Sequence, residues 1–214
     1  MTEPTTRNRK PTTRKALGLI ETLVAMGLLV MAIIPLMAMV VSAAASRDAN
    51  EYATVATNLA REGIEVVVAL RDSNWITDAA FDNGMYVAND YTFGLAFDPV
   101  ASAWSFVNNP SGGAPNSFSD SLTKIYKYTA TGLMVQGTVA TPQPAGTVAT
   151  PYRRLVTLDC ICYTQATDTE RIVTSGANCG ADVKIGVRIT STAQWTDKGN
   201  THNVSVVENI YDWR

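Results

Sequence analysis

From Leu23 to Ala45 the chain runs 23 positions without a charged residue. A bilayer core needs about 20 apolar residues of helix, so this stretch is long enough to span one. The apolar part of a secretory signal is only about 7–15 residues, much shorter, although Ala43-Ala44-Ala45 looks like a small-residue cleavage site. Pro35 sits inside the stretch and is expected to kink the helix without ending it, because neighbours in a membrane can satisfy the freed backbone. Arg7, Arg9, Lys10, Arg14 and Lys15 all precede the span, against the single acid Glu3. That bias predicts a single pass, with the N-terminus in the cytoplasm and the rest outside.

The helical pattern continues beyond the span. Tyr52, Val55, Ala56, Leu59, Ala60, Gly63, Ile64, Val67 and Leu70 recur at three- and four-residue spacing and form one apolar stripe. Asn58, Arg61, Glu62, Glu65 and Arg71 occupy the opposite face. The spacing predicts one helix from about residue 17 to about 72, roughly 80 Å long at about 1.5 Å per residue. Its second half exceeds what a bilayer needs and must cover another apolar surface, with Gly63 allowing close approach.

After Asn74 the period changes from helix to strand. Strands are expected at Tyr91–Phe97, Trp104–Val107, Lys124–Tyr128, Leu133–Thr138, Arg153–Tyr163, Val183–Gln194 and Asn203–Trp213. Turn signals lie at Asp98-Pro99 and Ala130-Thr131-Gly132, and residues 110–118 and 140–151 read as loops. The predicted class is α+β: one long N-terminal helix packed on a C-terminal antiparallel sheet. The expected organisation is a leader at 1–16, a transmembrane half-helix at 17–45, an amphipathic half-helix at 46–74 and a β-rich extracytoplasmic domain at 75–214. Residues 1–15 are polar and read as disordered.

Of the 17 basic and 19 acidic residues, five and one fall in residues 1–16, leaving 12 against 18. A mildly acidic body argues against nucleic acid as a partner. The single histidine, His202, sits in a turn-like context and reads as a solvated loop residue. No phosphate loop, histidine metal site or nucleophile elbow is present, and Asp72, Asp78, Asp82 and Asp90 lack calcium-loop spacing. The pattern therefore predicts neither an enzyme nor a cofactor or metal. The tryptophans read as sheet packing. Cys160, Cys162 and Cys179 allow one disulfide outside the cytoplasm, with a thiol left over. Either Cys160 or Cys162 can pair with Cys179. Cys162 is preferred for its compact intervening loop, and the bridge would contribute about 3 kcal/mol.

The segment Lys15-Ala16-Leu17-Gly18-Leu19-Ile20-Glu21 sets a carboxylate at the head of the apolar span. Such a charge is costly in a membrane unless it finds a partner. A basic leader ending in a small residue, with glutamate fifth after the cut and an apolar helix following, resembles the class III signal of type IV prepilins. The match puts the cut between Ala16 and Leu17. The family usually has Gly before the cut and Phe after it, so this chain departs at both positions. Asn58 to Val67 with Arg71-Asp72-Ser73-Asn74-Trp75, and the run Val204 to Val207, Ile210 and Asp212-Trp213-Arg214, are similar to the helix end and closing strand of minor-pilin-like proteins. Residues 76–150 carry no family signal.

The resemblance implies a type IV pilin-like fold and a structural, minor-pilin-like subunit of a type IV pilus or related filament. Its partners would be prepilin peptidase, the pilus assembly machinery, the membrane and other pilin subunits met through the N-terminal helix. It implies cleavage at Ala16-Leu17, N-methylation of Leu17, and pairing of Glu21 with a neighbouring subunit's N-terminal amine, so that each buried charge gains its partner on assembly. The implied location is the inner membrane, then the pilus or cell surface. A pseudopilin of a type II secretion or DNA-uptake system, or an anchored extracytoplasmic binding domain that never assembles, would share the same anchor.

Overall fold

The computed structural model describes residues 13–86, 91–98, 103–107, 117–138, 140–174 and 178–212, with side chains from Gly18 onward. Residues 1–12 of the expected leader, Pro99 of the expected turn, most of the expected 110–118 loop and Trp213 lie outside the described residues. The chain divides into two compact units, Met1–Asn50 and Glu51–Arg214.

Helix α1 runs Thr13–Ile76 and extends past both expected ends. At its start Thr13-Arg14-Lys15 is helical where disorder was expected, and Arg and Lys are good helix formers. At its end Asp78 takes a left-handed conformation (φ 57°), and the Ala79 N–H closes back on Asn74 O at 2.9 Å. This is the C-terminal cap usually given to glycine, a role that Asp tolerates better than most residues. The Asn74 side chain donates to Phe81 O (3.1 Å) and Asn83 O (2.8 Å), tying the exit loop to the last turn.

In the first unit every described side chain from Gly18 to Asn50 is exposed, including Leu19, Ile20, Leu23, Leu28, Ile34 and Val41. The helix is long and apolar enough to cross a membrane.

The second unit holds the sheet: β1 (Thr92–Asp98), β2 (Ala103–Val107), β3 (Lys124–Tyr128), β4 (Met134–Gln136), β5 (Thr147–Thr164), β6 (Thr169–Val173), β7 (Val183–Asp197) and β8 (Asn200–Tyr211). β5 is its spine. One edge of β5 takes β7 along most of its length, and β8 follows β7. The other edge is shared end to end by β3, β1 and β6. These pairings are antiparallel, but β1 also meets β4 in one parallel pairing, Ala96↔Gln136, so the sheet is mixed rather than wholly antiparallel. β1 has only Thr92 and Phe93 registered on β5 before it diverges. Beyond that point the Gln136 side chain accepts the Leu95 N–H at 3.1 Å, where a ladder would have supplied a carbonyl.

The expected stripe faces this sheet. Ala56, Leu59 and Ala60 pack with Ile125, Tyr152, Ala193 and Trp195. Ile64 and Val67 pack with Phe93, Val156, Leu158, Val187, Ile189 and Ile210. Gly63 lies so close to β7 that a Cβ there would stand 2.2 Å from Ser191 Oγ. Trp195 is buried and Trp75 packs on the core, whereas Trp104 is 36 % exposed and rests against Phe97.

Three local readings are corrected. Residues 147–151 form the start of β5, not a loop. Pro151 is tolerated there because it sits at a register shift against β3, before the β7 ladder begins at Tyr152. β6 was not expected at all. His202 belongs to β8, where its ring stacks on Trp195 at 5.3 Å between centroids. The two-residue turn Lys198-Gly199, with φ of 49° and 82°, returns the chain so tightly that Asn200 already pairs with Asp197.

Candidate functional site

The residues singled out at the head of the helix lie on successive turns of α1. The Ala16–Leu17 peptide bond is inside the helix, while the side chains of both residues fall outside the described residues. Glu21 stands one turn further on, exposed, at the start of the apolar segment. Beside it the Thr22 hydroxyl donates to Leu19 O at 2.9 Å, so this hydroxyl is satisfied within its own helix. Pro35 lies within α1, and helix continues on both sides of it. Having no N–H, it leaves the Met31 carbonyl without its usual helical donor. The arrangement is an apolar helical segment, exposed along residues 18–45 among the described residues, with one carboxylate near its head.

In the second unit the same helix is locked to the sheet by a buried polar clamp. Arg154, on β5, is 1 % exposed at its side chain. Its Nη1 donates to Glu62 Oε2 at 3.0 Å and to Leu59 O at 3.2 Å, and its Nε donates to Gln136 Oε1 at 2.8 Å. Gln136 in turn donates to Leu122 O and Arg154 O, both at 2.9 Å. Every polar group of the Gln136 side chain is thus used. Burial pulls the Arg154 guanidinium below its ordinary pKa, and the Glu62 carboxylate acts in the opposite direction. Glu62 was expected on the solvent face, yet it is half-buried. Asn58, Arg61 and Glu65 are exposed as that face requires.

Sequence reasoning missed Arg154, although a signal was present. It falls in phase with Val156, Leu158, Cys160 and Cys162, all fully buried, so an arginine in that row must carry a partner inward.

A third cluster surrounds the cysteines. Cys162 and Cys179 are joined by a disulfide with Cα atoms 5.6 Å apart. Cys160 is buried and unbonded to either, yet it packs in the same cluster. The Tyr86 hydroxyl lies 3.4 Å from Cys160 Sγ. Burial, and then that contact with the thiol, raises the Tyr86 pKa well above its ordinary value. Lys184 Nζ stands 4.0 Å from the Tyr86 ring centroid and pairs with Asp82. Arg171, on β6, pairs with Asp182 at 2.6 Å and donates to Cys179 O at 3.1 Å, holding the far end of the bridge.

Among the described residues no group of three or more His, Cys, Asp or Glu side chains is placed to hold a metal ion. No family model, curated protein or solved structure matches this chain.

Proposed function

We propose that this chain is a type IV pilin-like subunit of minor-pilin character, cut by a prepilin peptidase between Ala16 and Leu17 and assembled into a filament through its N-terminal helix. The observation that carries the reading is one uninterrupted helix with two different halves. Residues 18–45 expose apolar side chains with a single carboxylate, Glu21, near the head. Residues 51–76 bury their stripe against a sheet. A plain membrane anchor accounts for the first half but gives no reason for the second.

In this reading the cut frees the amine of Leu17, which is then N-methylated and keeps its positive charge. Glu21 of one subunit pairs with the amine of a neighbour, so the cost of a carboxylate in an apolar setting is offset only in the correct register. The apolar segments bundle as the filament core, and the sheet units face outward. Partners are the peptidase, the assembly machinery and other pilin subunits, at the inner membrane and then at the pilus or cell surface.

The deciding measurement is the N-terminus of protein recovered from membranes or sheared filaments, by mass spectrometry. A chain beginning at N-methylated Leu17 is the expected result. A chain beginning at Ser46 would mean ordinary secretion, and an uncut chain would mean a simple anchor; either outcome removes the proposal. Glu21→Ala is expected to be cut normally but to drop out of sheared filaments. Incorporation at the wild-type level would refute the pairing role.

A further inference from the structure

Cys160 and Cys162 stand two residues apart on β5 with both side chains on the face that holds Cys179. At about 3.3 Å of rise per residue their Cα atoms are about 6.6 Å apart, a spacing that lets one acceptor sulfur be approached from either. The β5 ladder shifts register against β7 between Ile161 and Cys162, so the backbone between the two cysteines is already irregular. All three sulfur residues are almost completely buried, at 4 % exposure or less, and Tyr86 and Val173 pack around them.

We infer that Cys160 is an internal exchange partner of the Cys162–Cys179 disulfide, giving the folded chain two isomeric single-bridge states. In the exchange the Cys160 thiolate attacks Cys179 Sγ, the Cys160–Cys179 bond forms, and the Cys162–Cys179 bond breaks to release Cys162 as thiolate. The proton lost by Cys160 ends on Cys162. One disulfide and one thiol are present before and after, so no oxidant or reductant is consumed. The Tyr86 hydroxyl is the polar group at Cys160 Sγ and biases the resting state toward a free Cys160. The second state moves the anchor of Cys179 two residues back along β5. It thereby shifts the arm that Arg171 holds through Cys179 O and Asp182. This inference stands apart from the filament reading and is decided separately.

The test uses the full chain folded at neutral pH, quenched in acid to stop exchange, then unfolded, labelled with a maleimide under acid conditions and mapped by peptic digestion. In the wild type the label is expected mostly on Cys160, with on the order of 1–10 % on Cys162 and none on Cys179, as for a minor state in equilibrium. Tyr86→Phe is expected to raise the Cys162 share several-fold. Cys162→Ser is expected to carry a Cys160–Cys179 bridge and take no label. Label confined to Cys160 in the wild type overturns the inference whatever the variants do. Two free thiols, or a bridge between two chains, in folded Cys162→Ser overturns it as well. If Cys162→Ser does not fold, the wild-type distribution alone decides.

Discussion

Glu62 and Arg154 meet at 3.0 Å across 92 residues of chain, and the two ends of the pair differ in exposure: 31 % for the glutamate side chain and 1 % for the arginine. The clamp is therefore asymmetric. Removing Glu62 strands a buried cation on two neutral acceptors, whereas removing Arg154 leaves a carboxylate that can turn toward water. Glu62→Ala is expected to cost about 2–3 kcal/mol, as for a charged hydrogen bond lost from a buried partner. Arg154→Met, which fills much of the same space, should cost less. Thermal unfolding of both variants beside the wild type checks the order, and the reverse order would show that packing around Arg154 outweighs its charge.

Gly63 and Ser191 set how near the helix lies to the sheet. Alanine at 63 gains about 1 kcal/mol of helix propensity. Its Cβ, however, would stand 2.2 Å from Ser191 Oγ, 3.1 Å from Ser191 Cβ and 3.3 Å from Val156 Cγ2. Gly63→Ala is expected to destabilise by about 1–3 kcal/mol net, the usual cost of overpacking. Ser191 Oγ is buried with no hydrogen-bond partner among the described residues, so Ser191→Ala should be neutral or slightly stabilising. The double variant should lose less than Gly63→Ala alone, and a double-mutant cycle on unfolding midpoints measures the difference.

The disulfide closes a segment with 17 residues of sequence separation. Cys179→Ser removes the bridge with either partner and is expected to lower stability by about 3 kcal/mol on the chain-entropy view. The loss should appear in denaturant midpoints under oxidising conditions and vanish when both proteins are fully reduced.

Alkali should unfold this protein partly through its tyrosines. Burial, and then the neighbouring Tyr52 and Glu51, pushes Tyr152 up to about 12. Below the ordinary tyrosine value of about 10 both folded and unfolded chains hold the phenol neutral, and the contribution is fully present. As pH rises past 10 only the unfolded chain gives up the proton, so stability falls until the folded phenol also titrates. Tyr152→Phe should lose less melting temperature between pH 9 and pH 11 than the wild type does, whatever its value at pH 7. Equal losses in the two proteins would remove Tyr152 from the account.

The parts of this fold that could be read in advance are those where a period and a burial pattern coincide. The stripe from Tyr52 to Leu70 was visible because every member is buried or half-buried against one surface. Lys124–Tyr128 was visible because its strand stays between clear turn signals. β6 was invisible for the opposite reason: Thr169 to Arg171 are polar and no residue of the strand is buried, so its pairing with β5 leaves no alternation behind. The first five residues of β5 carry Pro151, and there Val148 and Ala149 are exposed while Thr147 is buried, so no apolar alternation marks them; among the described residues only β3 pairs with them. At the site, Glu21 and Pro35 could be picked out because a charge and a proline stand out in an apolar run. The Glu62 partner could not, since local spacing says nothing about a strand nearly a hundred residues away.

The stripe's cover arrives late. Ile125, Tyr152, Val156, Ala193 and Ile210, which bury it, all follow it in the chain, and the last lies on β8. A chain delivered N-terminus first would therefore keep part of that apolar face bare until β8 has emerged. Any holdase or membrane surface that shields residues 52–70 during synthesis would have to let go only once β8 is delivered.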